Sequence, residues 1–156
     1  MDISLLADHQ QEASIIANWY LAEWGHKMPE KDKPHLTDKV LLGINRDKLP
    51  ITVLAHINEN LVGVAELKYR SLEQYPNWHN WLDGVFVPYE QRGKGISAKL
   101  ILDVIKRANR LGIPVLYLRC EAHNIALYEK FGFITLRTEK ELGVTKTIMG
   151  FSMESD

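Results

Sequence analysis

The segment Arg92–Ser97, with the sequence RGKGIS, constrains the fold more than any other part of the chain. It follows a strand-like apolar run at 85–87 and opens a helix, which apolar residues at helical spacing predict over 96–111. Gly112 and Pro114 then end that helix. The glycines of the segment let successive backbone N–H groups face one concavity, and the helix adds the positive end of its dipole. This succession of strand, glycine turn and helix predicts a binding site for a phosphate or pyrophosphate.

The same glycines also fit a variant of the dinucleotide-binding fingerprint, Gly93-x-Gly95-x-x-Ala98. A dinucleotide fold passes from its strand directly into the first glycine, whereas residues 88–92 intervene here. Such a fold also needs further strand–helix units, and only one more segment of helix length and a short hairpin follow. We therefore favour a pyrophosphate loop of another kind and keep dinucleotide binding as the lesser alternative.

Two blocks of the sequence resemble the GNAT superfamily of acyl-CoA N-acetyltransferases. The acyl-CoA loop of that family reads Gln/Arg-x-x-Gly-x-Gly/Ala, which Arg92, Gly95 and Ser97 match with a serine at the last position. The second block is a strand, then an Asn, a Tyr four residues later and a Gly between apolar residues. Asn124, Tyr128 and the segment 131–133 match this second pattern.

The resemblance implies an α+β (α/β) fold, in which a mixed, mostly antiparallel twisted sheet of about six to seven strands carries about four helices on its two faces. No linker or repeat divides the sequence, so one acetyltransferase domain is expected over residues 1–156. Periodicity predicts strands over 3–6, 51–57, 61–69, 81–87, 115–119, 133–138 and 145–153, and helices over 10–24, 37–45, 96–111 and 125–131. Asp8 is expected to cap the first helix. Gly84 is expected to mark a bulge or a close approach by another backbone, at the place where the family splits its sheet to admit the cofactor.

The resemblance also implies the chemistry, which is direct transfer of an acetyl group from acetyl-CoA to a primary amine of a small molecule or of a peptide or protein N-terminus. Tyr128 stands at the family's general-acid position, where it would protonate the departing CoA thiolate. The backbone N–H of Val87 would stabilise the developing oxyanion. The implied acetyl-CoA-binding residues come from the strand, the glycine turn and the second block: Val85, Phe86, Val87, Arg92, Gly93, Lys94, Gly95, Ile96, Ser97 and Asn124.

The general base is the least determined of these groups. A protonated amine with a pKa of about 10 has no free lone pair, so a base must accept its proton. Asp83 is placed first, because period-two alternation predicts that it shares a face with Val85 and Val87. Glu66, Glu121 and a water relayed by the sheet backbone stay open as alternatives. A chain without a base would be a non-catalytic acyl-CoA-binding module for sensing or scaffolding, which is the alternative function.

Charge and cysteine content restrict the partners and the compartment. A formal net charge of −1 gives no overall attraction to nucleic acid or to an anionic membrane. No apolar run approaches the length of a membrane span, and the N-terminus lacks the pattern of a signal peptide. The single cysteine, Cys120, can form no internal disulfide and is expected to be a packed or half-exposed thiol at a strand end. These features together predict a cytoplasmic protein; the sequence neither requires nor excludes a homodimer.

Metal sites and hydrolytic triads have no support in the sequence. The six histidines are scattered, with no His-Glu-x-x-His helix, no cysteine pair and no Asp-rich loop, so no metal is expected. No serine occupies a Gly-x-Ser-x-Gly elbow. The amine acceptor stays open among polyamines, amino sugars, amino acids and peptide N-termini. Aromatic residues that could flank it are interpreted mainly as core: Trp19, Tyr20, Trp24, Tyr75, Trp78 and Trp81.

Overall fold

The computed structural model describes residues 1–153. Its strands are β1 (Asp2–Leu5), β2 (Ile51–Ile57), β3 (Asn60–Tyr69), β4 (Asn80–Phe86), β5 (Val115–Glu121), β6 (Ile134–Glu141) and β7 (Val144–Ser152). Its α-helices are α1 (Ala13–Trp24), α2 (Leu36–Leu41), α3 (Ile96–Arg110) and α4 (Ile125–Glu129). Short 3-10 turns connect several elements, among them Leu6–Asp8 and Gln10–Glu12 before α1.

Within residues 1–153, the seven strands form one sheet in the order β1-β2-β3-β4-β5-β7-β6. Neighbouring strands are antiparallel except β4 and β5, which run parallel. β4 and β5 pair only at Trp81 and Tyr117, so the two strands diverge beyond that pair. The predicted mixed, mostly antiparallel sheet is confirmed, and its division between β4 and β5 opens a cleft.

Helix α3 packs on one face of the sheet. Its buried residues Leu100, Ile101 and Val104 belong to a core cluster with Val53 of β2 and Ala65 of β3. Complete burial of a branched apolar side chain of this kind contributes about 1.5–3 kcal/mol to folding. The helix that begins at the glycine turn is therefore fixed to the sheet along its length.

Helices α1 and α2 cover the opposite face. Ile16 of α1 and Val40 of α2 pack with Leu54 and Val64, which alternate along β2 and β3 with the residues under α3. The exposed side of α1 includes Ile15, which is 42% exposed. The sheet is thus covered on both faces, and α1 lies beside the cleft-forming strands.

An aromatic cluster covers the end of the sheet beyond α1. Tyr75 and Trp78 stack with ring centroids 4.7 Å apart, and Trp78 stacks on Tyr117 of β5 at 4.9 Å. Trp81 packs against the same tyrosine at 5.5 Å. The core interpretation of these aromatic residues agrees with their packing, which holds the loop at 70–79 against the sheet.

A bulge interrupts β4 at Gly84, as the glycine predicted. Glu66 and Val64 of β3 pair with Asp83 and Phe86, so a three-residue step on β4 faces a two-residue step on β3. Gly84 has a φ of 60°, in the left-handed region that favours glycine. Because Val64 and Glu66 share a face of the sheet, their partners Asp83 and Phe86 share that face as well.

The bulge overturns the predicted orientation of Asp83. Val85 and Val87 pack with the α3 core cluster, whereas Asp83 lies on the opposite face with Glu66. The prediction that Asp83 shares a face with Val85 and Val87 is therefore wrong, because one extra residue reverses the alternation of a strand.

The start of α1 also differs from its prediction. Asp8 makes no cap to the helix; its carboxylate forms a bidentate pair with the guanidinium of Arg46. The 3-10 turn Gln10–Glu12 comes between Asp8 and the first residue of α1, Ala13. The distance along the chain is thus too long for a side-chain cap from Asp8.

Candidate active site

A cavity of about 850 Å³ lies where β4 and β5 diverge. Its volume is within the range of small-molecule and cofactor sites. The walls come from α1, β3, β4, β5, α4 and the start of α3. Eight of the predicted site residues line it: Asp83, Val85, Phe86, Val87, Arg92, Ser97, Asn124 and Tyr128. The split sheet therefore brings the two resembling sequence blocks to one cleft.

The glycine turn borders this cavity. Gly93 and Gly95 have φ values of 82° and 78°, and Gly95 stands immediately before the first turn of α3. A Cβ built at either glycine would meet no atom within 4 Å, so space for an incoming group lies over both. The side chain of Ile96 is buried in the core, which leaves its backbone N–H to face an anion. The turn has the left-handed glycines and the helix N-terminus that an anion site requires.

Two cationic side chains accompany the turn. The Nε of Arg92 donates a hydrogen bond to the carbonyl oxygen of Val87 at 3.0 Å, which ties the turn to the end of β4. The ammonium of Lys94 donates to Oε1 of Gln91 at 2.9 Å. Both residues are exposed, so their charges reach solvent beside the open glycines. This local positive charge complements a phosphate despite the near-neutral chain.

Tyr128 of α4 and Asn124 at its N-cap also line the cavity. Tyr128 is buried, its ring packs edge-on against Phe133 at 5.9 Å, and burial raises the pKa of its hydroxyl to about 12. The phenol therefore keeps its proton at neutral pH. Asn124 occupies the N-cap position of α4, yet its side chain makes no capping hydrogen bond. Its amide thus remains available to the cavity that it lines.

Cys120 lies in the same wall as a packed thiol, as expected. Its Sγ approaches Sδ of Met149 at 3.8 Å, and burial raises the pKa of the thiol above its usual value. A thiol with a raised pKa is a poor nucleophile at neutral pH. This arrangement favours direct transfer over a covalent acyl-cysteine route.

Glu66 is a buried carboxylate in the cavity wall. Its residue is 3% exposed, and the hydroxyl of Tyr20 donates to Oε2 at 2.8 Å. The ammonium of Lys68 lies 3.5 Å from Oε1. Burial raises the pKa of Glu66, against the opposing effects of Lys68 and Tyr20.

The hydroxyl of Tyr20 can satisfy both protonation states of Glu66. Its oxygen lies 2.8 Å from Glu66 Oε2 and 3.0 Å from the carbonyl oxygen of Gly84. With Glu66 ionised, the hydroxyl donates to the carboxylate; with Glu66 protonated, the acid can donate to the tyrosine oxygen, which then donates to Gly84. Burial raises the pKa of Tyr20 well above its usual value, so the tyrosine itself stays protonated. Glu66 therefore has a hydrogen-bond partner in Tyr20 whether its carboxyl group is ionised or protonated.

Asp83 lies beside Glu66 but is held by cations. Its carboxylate pairs with the guanidinium of Arg70, and the ammonium of Lys68 lies 3.9 Å away. The backbone N–H of Gly84 donates to its Oδ1 at 2.9 Å. The Asp83 carboxylate thus already has three polar partners in the structure.

Glu121, the third sequence candidate, is paired with lysines. Its Oε1 lies 3.2 Å from the ammonium of Lys146 and 3.6 Å from that of Lys27. The hydrogen bond from Lys146, followed by the charges of its cationic neighbours, lowers the pKa of Glu121. A carboxylate that is already neutralised by two lysines has little remaining charge for a cationic substrate.

A family comparison decides the classification of this chain. The model of the acetyltransferase (GNAT) family matches residues 13–133. The chain belongs to the GNAT acetyltransferase family. The resemblance of its two sequence blocks is thereby confirmed, and the dinucleotide alternative is set aside. No curated protein matches the sequence significantly.

Solved GNAT structures share the fold of this chain. A ribosomal-protein-alanine N-acetyltransferase from Brucella melitensis is 23% identical with a TM-score of 0.77, covering 98% of this chain and 100% of its own. An aminoglycoside 6'-N-acetyltransferase in complex with coenzyme A is 15% identical with a TM-score of 0.78, covering 100% of both chains. A GNAT family acetyltransferase from Elizabethkingia anophelis with acetyl-CoA bound is 18% identical with a TM-score of 0.59, covering 76% of this chain and 82% of its own.

Several polar partners in the GNAT cleft have no signal in the local sequence. Tyr20 was interpreted as a core aromatic residue, and its hydroxyl contacts a carboxylate 46 residues away. Lys68 and Arg70 belong to a strand and a loop with no local motif, yet they set the charge around Asp83. The pairing of β3 with β4 brings Lys68 and Arg70 to Asp83, and the packing of α1 against β3 brings Tyr20 to Glu66.

Proposed function

We propose that this GNAT protein transfers an acetyl group from acetyl-CoA to a primary amine of a small molecule or of a peptide or protein N-terminus. The observation that carries the proposal is one cleft with an anion-binding turn on one side and the buried carboxylate of Glu66 on another. The first feature suits a pyrophosphate and the second suits proton removal from an amine. The glycine turn and the other residues of this cleft fit acetyl-CoA as co-substrate.

Binding is assigned to the two sequence blocks. Backbone N–H groups from Gly93 to Ile96 hold the pyrophosphate, with Arg92 and Lys94 adding charge and Ser97 a hydroxyl. The edge of β4 after Trp81 has no β5 partner, so backbone groups over 85–87 are free to bond the pantetheine arm. Asn124 supplies a further amide to that arm.

Glu66 is the general base that the geometry favours. Burial raises the pKa of Glu66 toward the operating pH. A general base is most effective when its pKa lies near that pH. Tyr20 and Gly84 accommodate the proton that it gains. Asp83, the first sequence candidate, is instead assigned to positioning, because its carboxylate is already paired with Arg70 and lies near Lys68. A water that bridges the amine to Glu66 is compatible with this assignment.

The remaining demands of the reaction fall on Val87 and Tyr128. The N–H of Val87, next to the diverging end of β4, is assigned to the negative charge that develops on the thioester oxygen. Tyr128 remains protonated because its pKa is about 12, so it can donate to the departing thiolate. Glu66 accepts the proton that the amine loses. The departing thiolate takes its proton from Tyr128, which water then reprotonates, or from water directly.

Two of the solved neighbours support an amine acceptor. Their names specify N-acetylation, of a ribosomal protein alanine in one and of an aminoglycoside in the other. A primary amine enters such a site as a cation and must lose a proton there. The carboxylate of Glu66, which lines the cavity, would attract that cation.

The test combines binding with turnover. Calorimetry should give saturable binding of acetyl-CoA and no comparable binding of a nicotinamide dinucleotide. CoA-thiol release should then appear with members of a panel of polyamines, amino sugars, amino acids and peptide N-termini. Glu23→Gln is the matched control for Glu66→Gln, because both carboxylates line the cavity and Glu23 is exposed. Acetyl-CoA binding without turnover across the panel would support the non-catalytic module instead, and absence of binding at about millimolar cofactor would reject both.

A further inference from the structure

Two histidines and a glutamate converge where the N-terminal segment meets the sheet. Oε1 of Glu12 lies 2.7 Å from Nε2 of His56 and 3.6 Å from Nδ1 of His9. The two imidazole rings have centroids 4.5 Å apart and are tilted by 40°. One donor atom from each residue lies within 4.8 Å of those of the other two. None of the three residues lines the acetyltransferase cavity.

Backbone geometry fixes this cluster. His9 donates its N–H to the carbonyl oxygen of Leu6, and Glu12 donates to that of His9, each at 2.9 Å. The two successive 3-10 turns place the side chains of His9 and Glu12 on the same side. His56 comes from β2, at the shift of register with β3 that begins after Ala55. A shift of this kind re-aims a strand side chain, here toward the turns.

The cluster is largely removed from water on the strand side. The side chain of His56 is 8% exposed and that of Glu12 is 14% exposed, whereas His9 is 34% exposed. A carboxylate buried to this degree is costly unless it has close polar partners. The cluster is therefore preorganised at His56 and Glu12 and open to solvent beside His9.

We propose that His9, Glu12 and His56 bind a divalent transition-metal ion, with Zn²⁺ as the ion of reference. Two imidazoles and one carboxylate form a donor set that suits Zn²⁺ and disfavours Mg²⁺, which prefers oxygen ligands. Metal–ligand bonds of about 2.0–2.2 Å in a tetrahedral site place ligand atoms about 3.3 Å apart. The 2.7 Å and 3.6 Å separations lie on either side of that value, so small side-chain shifts complete the site.

Coordination replaces the present hydrogen bond between His56 and Glu12. His56 ligates through Nε2 as the neutral tautomer with its proton on Nδ1, His9 ligates through Nδ1, and Glu12 through a carboxylate oxygen. Water takes the fourth position on the exposed side. The ion would join the 3-10 turns before α1 to β2, so its role is structural: it fixes the start of the helix whose Tyr20 contacts Glu66.

The experiment uses the full chain after removal of metal by a chelator and dialysis. Calorimetry with Zn²⁺ should give one ion per chain, with a Kd of about 1 µM or lower, and Mg²⁺ should give no comparable binding. His9→Ala and Glu12→Gln should each weaken Zn²⁺ about tenfold or more, because each removes one of three ligands. Co²⁺ in place of Zn²⁺ should give the visible absorption of a four-coordinate ion in the parent and lose it in both variants. His35→Ala, at an exposed histidine of another 3-10 turn, is the matched control and should bind as the parent does.

Thermal unfolding supplies an independent readout. Zn²⁺ at about a hundredfold above the parent Kd should raise Tm by about 5–10 °C in the parent and in His35→Ala, and by at most about half as much in His9→Ala. His9 is the most exposed of the three ligands, so its variant is expected to fold, and Glu12→Gln provides a second test if it does not. The proposal is overturned if the parent shows no saturable binding below about 100 µM Zn²⁺, or if His9→Ala and Glu12→Gln bind as tightly as His35→Ala. The three residues would then form a hydrogen-bonded cluster only.

Discussion

Deleting the hydroxyl of Tyr20 tests the polar network of the active site directly. Tyr20→Phe keeps the ring, which packs against Trp24 with centroids 5.3 Å apart, and removes only the donor to Glu66. Tyr20 is 5% exposed and Glu66 is 3% exposed, so water does not readily replace that donor. Within residues 1–153, the other side-chain partner that the structure gives this carboxylate is the ammonium of Lys68, 3.5 Å from Oε1.

The expected cost follows from this geometry. A hydrogen bond to a charged group contributes about 1.5–3 kcal/mol, and burial of both partners removes the usual discount for solvent screening. We expect the free energy of unfolding of Tyr20→Phe to fall by about 1.5–3 kcal/mol at pH 7. For a chain of this length, that loss lowers Tm by about 3–12 °C.

The pH dependence of this loss has a definite sign. Burial raises the folded-state pKa of Glu66, so its contribution to stability is fully present below the unfolded pKa and is lost as pH rises through the folded pKa. The hydrogen bond from Tyr20 opposes that shift by favouring the carboxylate. The deficit of Tyr20→Phe should therefore be largest on the high-pH side of the Glu66 titration, where the carboxylate is ionised, and should shrink as Glu66 becomes protonated at lower pH. The pKa of Glu66 should rise further in the variant, which moves the acid limb of the pH–rate profile to higher pH.

Urea unfolding at pH 7 and at pH 5 measures the deficit, and the rate profile measures the pKa. Tyr69→Phe is the matched control, because Tyr69 is 59% exposed on the adjoining end of β3. A double-mutant cycle with Glu66→Gln isolates the charged part of the contact. The reasoning is refuted if Tyr20→Phe and Tyr69→Phe lose the same small amount, or if the Tyr20→Phe deficit grows as pH falls.

Three further substitutions test the assigned roles. Glu66→Gln should lower kcat/KM by a factor of about 10²–10⁴ and abolish the acid limb of the pH–rate profile, while acetyl-CoA affinity stays unchanged. A wild-type rate in this variant would show that Glu66 is not the base. Tyr128→Phe should lower kcat about tenfold or more with unchanged acetyl-CoA affinity, and since the pKa of Tyr128 is about 12 no alkaline loss of rate should arise from it near neutral pH. Wild-type kcat, with chemistry limiting, would reduce Tyr128 to a packing role. Gly95→Asp should weaken acetyl-CoA binding about tenfold or more, because it adds a Cβ at a φ of 78° and a carboxylate beside the phosphates. Gly112→Asp has a similar φ of 75° at the far end of α3 and should lose stability only, so equal losses of affinity in the two variants would contradict the assigned anion site.

Local sequence determined the elements and the anion turn. Three features depend only on neighbouring residues and on backbone φ, and can therefore be predicted from the sequence. They are the apolar period of α3, the glycines before it and the bulge at Gly84. The two GNAT blocks can be recognised for the same reason, because each is a short continuous segment of the chain. The predicted strands therefore agree with β2 and β3 to within a residue, and α3 ends one residue early.

Tertiary structure decided which polar groups are partners. The bulge moved Asp83 to the face of Glu66, and the packing of α1 on β3 brought Tyr20 to that carboxylate across 46 residues of sequence. The contacts of His9 with Glu12 and His56 likewise exist only because two turns meet β2. A pKa and a hydrogen bond depend on desolvation and on partners from distant segments, and alternation along one strand cannot supply either.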